Sequence, residues 1–314
     1  MGAFFHAVGV FIHHLRQVEW APLGIALACH VTKLLFRGRA WQNIIRAAYP
    51  ADRLKYRSAL GAYIAGVGVN SIAPARGGDL IKLYLVKHRI PNASYATLAP
   101  TLVSETLLDF FVSGGVLVWA IAIGALPSHQ VYSRLPSVDW GFFLRHEQAT
   151  AIALVALLFV AAIGVIVFTE HGGETRAKLA RGFAILRDPP RFFRGVVLPQ
   201  AVSWVFRIAS LYYFLKAFGV NATVHNALLV QVVDSLATLF PATPGGAGTK
   251  QGLIVFLFHQ ETVSKDLLLA FSVGMNIATV VFNLAIGVLA LWLMARTLSF
   301  KRVRSAAKAS EEAA

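Results

Sequence analysis

Apolar residues run along this chain in long blocks, separated by short polar stretches. The first block, residues 2–16, carries His6, His13, His14 and Arg16 and is short for a membrane span, so it reads as an interfacial helix. A span is expected at about 20–36, with Trp20 and Trp41 as interfacial anchors. Further apolar segments cover about 57–73, 78–87, 95–126, 148–169, 195–218, 225–240, 250–259 and 267–295. Several approach or exceed the roughly 20 residues that cross a bilayer as a helix. The pattern predicts an all-α integral membrane protein, a polytopic helix bundle over residues 20–295 with a basic, disordered tail at 296–314.

Composition supports this reading. Of the 314 residues 57% are hydrophobic and 14% charged, with a mean hydropathy of +0.63. Soluble domains carry about 25% charged residues. The formal net charge of +14 does not indicate nucleic acid, because the basic residues lie between apolar spans and not in one arm. That is the positive-inside pattern. Loop 37–57 (Arg37, Arg39, Arg46, Arg53, Lys55, Arg57), connector 87–95 (Lys87, Arg89), loop 170–194 and the tail are expected in the cytoplasm. Loop 127–147 balances its charges and is expected outside. Cys29 is the single cysteine, so no intrachain disulfide forms. A cleavable signal peptide is not apparent.

The side assignments constrain the short segments. Loops 37–57 and 87–95 share a side, so 57–87 enters the membrane and returns as a re-entrant hairpin. By the same parity 225–259 is a second hairpin, entering from the opposite face. Their tips read "PARGGD" and "PATPGGAG". Two oppositely oriented broken-helix hairpins are the mark of an inverted repeat. Proline removes a backbone donor and glycine permits sharp turns, and irregular backbone survives at membrane depth only where protein or water covers it. Kinks and helix packing are the simpler use of such residues.

Charges inside apolar segments are the candidate chemistry. Glu105 and Asp109 lie four apart on one helical face; Arg207 and Asp234 sit within other apolar segments. Arg76, Asp79, Lys82 and Lys250 flank the tips. Intramembrane charges are costly and face the bundle interior in pairs. They either tie broken helices together or receive a ligand. In the second case Arg76 and Lys82, with Arg207 or Lys250, suit a phosphate, and the carboxylates orient them. Asn70, Thr243, Gln251 and Asn276 offer neutral hydrogen bonds. His13 and His14 read as interfacial polar residues. Neither a metal site nor a nucleotide-binding or hydrolase fingerprint is expected, so no cofactor is predicted.

These motifs resemble a known family. Asn70, Pro74, Arg76, Gly78, Asp79 and Lys82 are similar to the first motif of the lysylphosphatidylglycerol synthase transmembrane-region, or flippase-like, family. "SETLLDFF", with Glu105 and Asp109, resembles its next helix. "FPATPGGAGTKQG", through Pro241, Pro244, Gly245, Gly246 and Gly248, resembles its third motif. Asp79 replaces the usual Glu, Lys82 the usual Arg, Thr106 an Arg and Gln251 a Glu. The resemblance implies a multi-pass protein of the cytoplasmic membrane that moves a lipid between leaflets. A separate soluble domain makes the aminoacyl lipid in the best-understood members, and this chain is expected to lack it and not to be an enzyme.

The expected function is translocation of a polar, phosphate-bearing lipid, either a phospholipid or a polyprenyl or glycolipid carrier. Pro74, Gly78, Pro244, Gly245, Gly246 and Gly248 would shape the cavity. Alternatives are a membrane enzyme using Glu105 or Asp109 as base, a non-transporting partner of a lipid or glycan synthase, and a solute or ion transporter.

Overall fold

The computed structural model describes residues 17–52, 54–73, 77–123, 173–239, 249–258 and 263–297, and every regular element among them is helical. The helices are α1 (Trp20–Ala48), α2 (Tyr56–Asn70), α3 (Gly77–Lys87), α4 (Tyr95–Ala122), α5 (Glu174–Gly182), α6 (Leu198–Ala217), α7 (Val224–Leu239), α8 (Thr249–Leu257) and α9 (Lys265–Thr297). A π-helical turn, Phe193–Val197, leads into α6. The expected interfacial helix at 2–16, loop 127–147, span 148–169, both hairpin tips and nearly all of the tail lie outside the described residues.

Two expected loops contain helix: loop 170–194 holds α5 and the short helical pieces Ala184–Arg187 and Pro189–Phe192, and loop 37–57 begins as helix. Residues 37–48 are not loop: α1 continues from the expected span to Ala48. The reason is chemical. Arg37, which marks the end of the apolar run, is neutralised by carboxylates of α4, and the residues after it include good helix formers such as Ala, Gln and Arg. Gly38 costs little there because Leu60 of α2 packs against its Cα, where an added Cβ would lie 2.7 Å from Leu60 Cδ1.

Cross-contacts fix the helix directions. Helix α1 runs antiparallel to α6: Glu19 N–H donates to Ala217 O, Ser210 Oγ donates to Ala26 O, and Asn43 Nδ2 donates to Gly195 O. It also opposes α4, with Trp41 Nε1 donating to Thr101 and Arg37 reaching Glu105. Helices α2 and α3 fold back on each other: Tyr63 meets Lys82, Gly66 meets Gly78, and Asn70 meets Asp79. Helix α9 runs antiparallel to α2, through Gly61 against Met294 and Gly68 against Gly287. At that second crossing a Cβ on Gly68 would lie 2.8 Å from Gly287 Cα, so the backbones touch directly, the small-residue contact by which membrane helices approach closely.

These directions bring the C-terminal ends of α1, α3 and α9 together with the N-terminal ends of α2, α4 and α6. The charge-rich connectors of the sequence therefore share one end of the bundle: Arg46, Arg57, Lys87, Arg89, Arg187, Arg191 and Arg194 all belong to it.

Two large apolar cores form, beside a small one that packs Ala40 and Ile44 against Ile185 and Val196. One joins the start of α1 to α6, α7, α8 and the start of α9, around Phe214, Leu215, Val230, Phe258 and Phe271. The other joins the second half of α1 to α2, α3, the start of α4 and the end of α9, around Trp41, Ile45, Tyr63 and Leu98. Polar residues interrupt the helices shared by both. On α1, His30 falls between Ala26 of the first core and Leu34 of the second; on α9, Asn283 falls between Met275 and Ala290. Helices α4 and α9 are long and apolar enough to cross a membrane.

Candidate functional site: a buried charge network

Glu105 and Asp109 occupy adjacent turns of α4 and both bind Arg37 of α1. The guanidinium donates to Glu105 Oε1 at 2.5 Å and also to Asp109 Oδ2. Tyr63 of α2 completes the group, accepting from Arg37 Nε at 2.6 Å and donating to Glu105 Oε1 at 3.1 Å. Helix α6 closes it from the other side. Gln200 Nε2 donates to the Glu105 backbone oxygen at 2.7 Å, and Trp204 Nε1 donates to Asp109 Oδ1 at 3.0 Å. Glu105 is 2% exposed. Four helices thus meet on one carboxylate pair, and a buried carboxylate requires such satisfaction. Thr106, inside α4, donates its hydroxyl to Leu102 O and Val103 O one turn earlier. The cation that meets the α4 carboxylates comes from α1.

The first motif forms a second group. Asn70, at the end of α2, accepts from Gly78 N–H at 2.7 Å through Oδ1 and donates to Asp79 Oδ1 at 3.1 Å. It thereby ties the end of α2 to the start of α3. Lys82 pairs with Asp79 at 3.0 Å, and its ammonium sits 4.3 Å from the Tyr63 ring centre. Lys82 is 5% exposed, and the ring face repays part of its lost hydration. Gly78 admits no side chain: an added Cβ would lie 2.0 Å from Gly66 O.

The third group joins α7 to α8 by the Asp234–Lys250 ion pair at 2.9 Å. Gln251 follows Lys250 in the first turn of α8. Arg207 of α6 lies over the Trp204 ring, 4.8 Å from its centre. On α1, His30 contacts Asn283 Oδ1 through Nε2 at 2.8 Å, and Lys33 Nζ lies 3.2 Å from His30 Nδ1. Lys33 is within electrostatic reach of Arg207, Arg37, Asp234 and Asp109, so the groups are one network.

Of the residues expected from sequence, Asn70, Gly78, Asp79 and Lys82 come together, as do Glu105 and Asp109, and Asp234 and Lys250. Pro74, Arg76, Pro244, Gly245, Gly246 and Gly248 lie outside the described residues. Sequence reading misses Lys33, Arg37, Tyr63, Gln200 and Trp204. A signal existed for α1: His30, Lys33 and Arg37 are spaced three and four apart, so they share a helical face. Among the described residues no cluster of three or more metal-ligating side chains occurs.

Comparison with known proteins follows from this geometry. The family model described as the lysylphosphatidylglycerol synthase TM region matches residues 2–287. A UPF0104 membrane protein of Methanocaldococcus jannaschii is 21% identical over 62% of this chain and 80% of its own length. One from Methanothermobacter thermautotrophicus is 22% identical over 79% of this chain and 75% of its own. The glycosyltransferase AglD of Haloferax volcanii is 24% identical over 74% of this chain but only 42% of its own length. No solved structure matches the chain.

Proposed function

We propose, on the premise that this chain belongs to the lysylphosphatidylglycerol synthase TM-region family, that it carries a phosphate-bearing lipid head group between the leaflets of the membrane. The head group would travel through the charged interior while its hydrocarbon tails remain in the bilayer. The observation that carries this reading is the Arg37–Glu105–Asp109–Tyr63 group, a satisfied charge cluster that links α1, α2, α4 and α6 and sits inside α4, a helix long and apolar enough to cross a membrane. Charge at such depth is expensive and marks substrate paths in membrane proteins.

Helix lengths support two re-entrant hairpins. Helix α2 has 15 residues and α3 has 11, lengths of roughly 22 Å and 16 Å at 1.5 Å per residue, against a hydrocarbon core of about 30 Å. Helix α8, at nine residues, is shorter still. Packing supports an inverted repeat that pairs α1–α4 with α6–α9. Helix α2 lies against α9, and α4 lies against α7, so each half lends its long final helix to the hairpin of the other. The proposed mates α1 and α6 run antiparallel, as mates related by an axis in the membrane plane must. The shared basic end would face the cytoplasm.

The family description names a synthase of an aminoacyl phospholipid, and one relative is named a glycosyltransferase. The second name favours a lipid-linked sugar as an alternative cargo, or a glycan synthase as partner. In either case this chain would act on the lipid without catalysing its synthesis.

Reconstitution into liposomes with fluorescent lipids tests the reading. Wild type should move at least one phosphate-bearing lipid faster than protein-free liposomes, and Glu105→Gln should slow it at least about tenfold. Equal rates for wild type and empty liposomes across phospholipids and polyprenyl phosphates would exclude transport. A chemically altered lipid recovered from the vesicles would point to an enzyme.

A further inference from the structure

Two cations of the network stand apart from its ion pairs. Among the described residues, Lys82 has Asp79, Lys250 has Asp234, and Arg37 has both Glu105 and Asp109. Among the same residues neither Lys33 nor Arg207 has a carboxylate at ion-pair distance. Lys33 spends one of its three donors on His30 Nδ1, whose ring is held by Asn283 on the opposite edge. Arg207 rests on the Trp204 ring, and none of its five donors meets an acceptor among the described residues. Arg207 lies within electrostatic reach of Lys33 and His30, and Arg37 within reach of both cations, while Asp234 and Asp109 act on both without forming an ion pair with either.

Two cations held near each other between packed helices are unfavourable. A fold that keeps them, with Trp204 stacking one and His30 orienting the other, is arranged for an anion that arrives from outside. Both side chains are only partly buried, so the space beside them is reachable. Among the described residues the network holds five basic side chains and four carboxylates. A phosphodiester carries a negative charge and would offset the cations that pair with none of those carboxylates.

We propose that Lys33 and Arg207, and not the paired Lys82 and Lys250, receive the cargo, and that its recognised group is the phosphodiester of a lipid head group. Arg207 presents its planar fork to two phosphate oxygens, while the Lys33 ammonium binds a third contact as a point charge. The proposal rests on the lipid-translocation reading for the identity of the cargo, but its test is a binding measurement that does not require transport.

The test uses the purified full chain in detergent. Its probe is dihexanoyl phosphatidylglycerol, compared with dihexanoylglycerol and with inorganic phosphate, and the readouts are equilibrium affinity and the ligand-induced shift in thermal unfolding. Wild type should bind the phosphatidylglycerol and not the uncharged glyceride. Lys33→Gln and Arg207→Gln should each weaken binding at least about tenfold, the cost of one charge-assisted hydrogen bond, while Lys33→Arg and the distant Arg46→Gln retain it. Each neutralising variant should also unfold at an equal or higher temperature than ligand-free wild type, because it removes an unpaired charge; a residue serving only the fold would do the opposite. Unchanged affinity in both variants, or lower ligand-free stability in both, overturns the assignment. Inorganic phosphate binding as tightly as the lipid overturns the lipid as its source. Binding that meets every expectation without movement in liposomes would remove the transport reading and leave this site standing, whereas transport with unaltered affinities would do the reverse.

Discussion

At the scale of single residues the decisive group is the Arg37 guanidinium. It satisfies two carboxylates and a phenol within one cluster, so its removal leaves two buried charges without a cation. Arg37→Ala should lower stability by about 3–5 kcal/mol, the cost of breaking a buried pair by one partner, read as a lower unfolding temperature in detergent. Adding Glu105→Gln and Asp109→Asn to that variant should recover part of the loss; no recovery would mean that packing and not charge is at stake. Tyr63→Phe keeps the ring beneath Lys82 and removes one hydrogen-bonding hydroxyl, for a loss of about 1–1.5 kcal/mol. The acidic half of this cluster is legible in sequence, because two carboxylates four apart in an apolar helix have few other uses. The basic half is not. Arg37 lies where hydropathy falls, and a charge at the end of an apolar run looks like the start of a loop unless its partner, 68 positions away, is already known.

At the scale of elements, the break between α2 and α3 depends on two glycines that are neighbours in sequence and unlike in surroundings. Among the described residues a Cβ on Gly77 would meet only Ala73 Cβ at 3.4 Å, an ordinary contact, whereas one on Gly78 would collide with the Gly66 carbonyl at 2.0 Å. Gly77→Ala should therefore be neutral or stabilising by up to about 1 kcal/mol. Gly78→Ala should force the helices apart and cost more than about 2 kcal/mol. Paired unfolding measurements on the two variants check this, and equal effects would deny the close approach. The boundaries of α2, α3, α7 and α8 follow the apolar runs and the Pro–Gly punctuation, and so were readable. The closeness of α2 to α3, and of Gly68 to Gly287 on α9, was not, because a glycine in an apolar run carries no sign of which partner it faces.

At the scale of the molecule, helix directions make a topological prediction. With Cys29→Ser as background, cysteines replacing Arg57 and Arg187 should react with a membrane-impermeant reagent from one side, the cytoplasm. A cysteine replacing Gly219, just past the far end of α6, should react from the other. Reaction of all three from a single side would break the arrangement. The charge distribution along the sequence alone implies this side assignment, because basic connectors mark one face of a membrane protein. What it could not reveal was which helices touch, since positive-inside patterning fixes sides and leaves neighbours open.

The bond between His30 and Asn283 joins residues 253 positions apart. At about 5–20 residues per second, a ribosome needs roughly 10–50 s after making the first to make the second. For that interval the nascent α1 carries an imidazole whose partner has not yet been made. Chains truncated before α9 should accordingly linger with the insertion machinery or be degraded, which makes the last helix the quality checkpoint of the whole assembly.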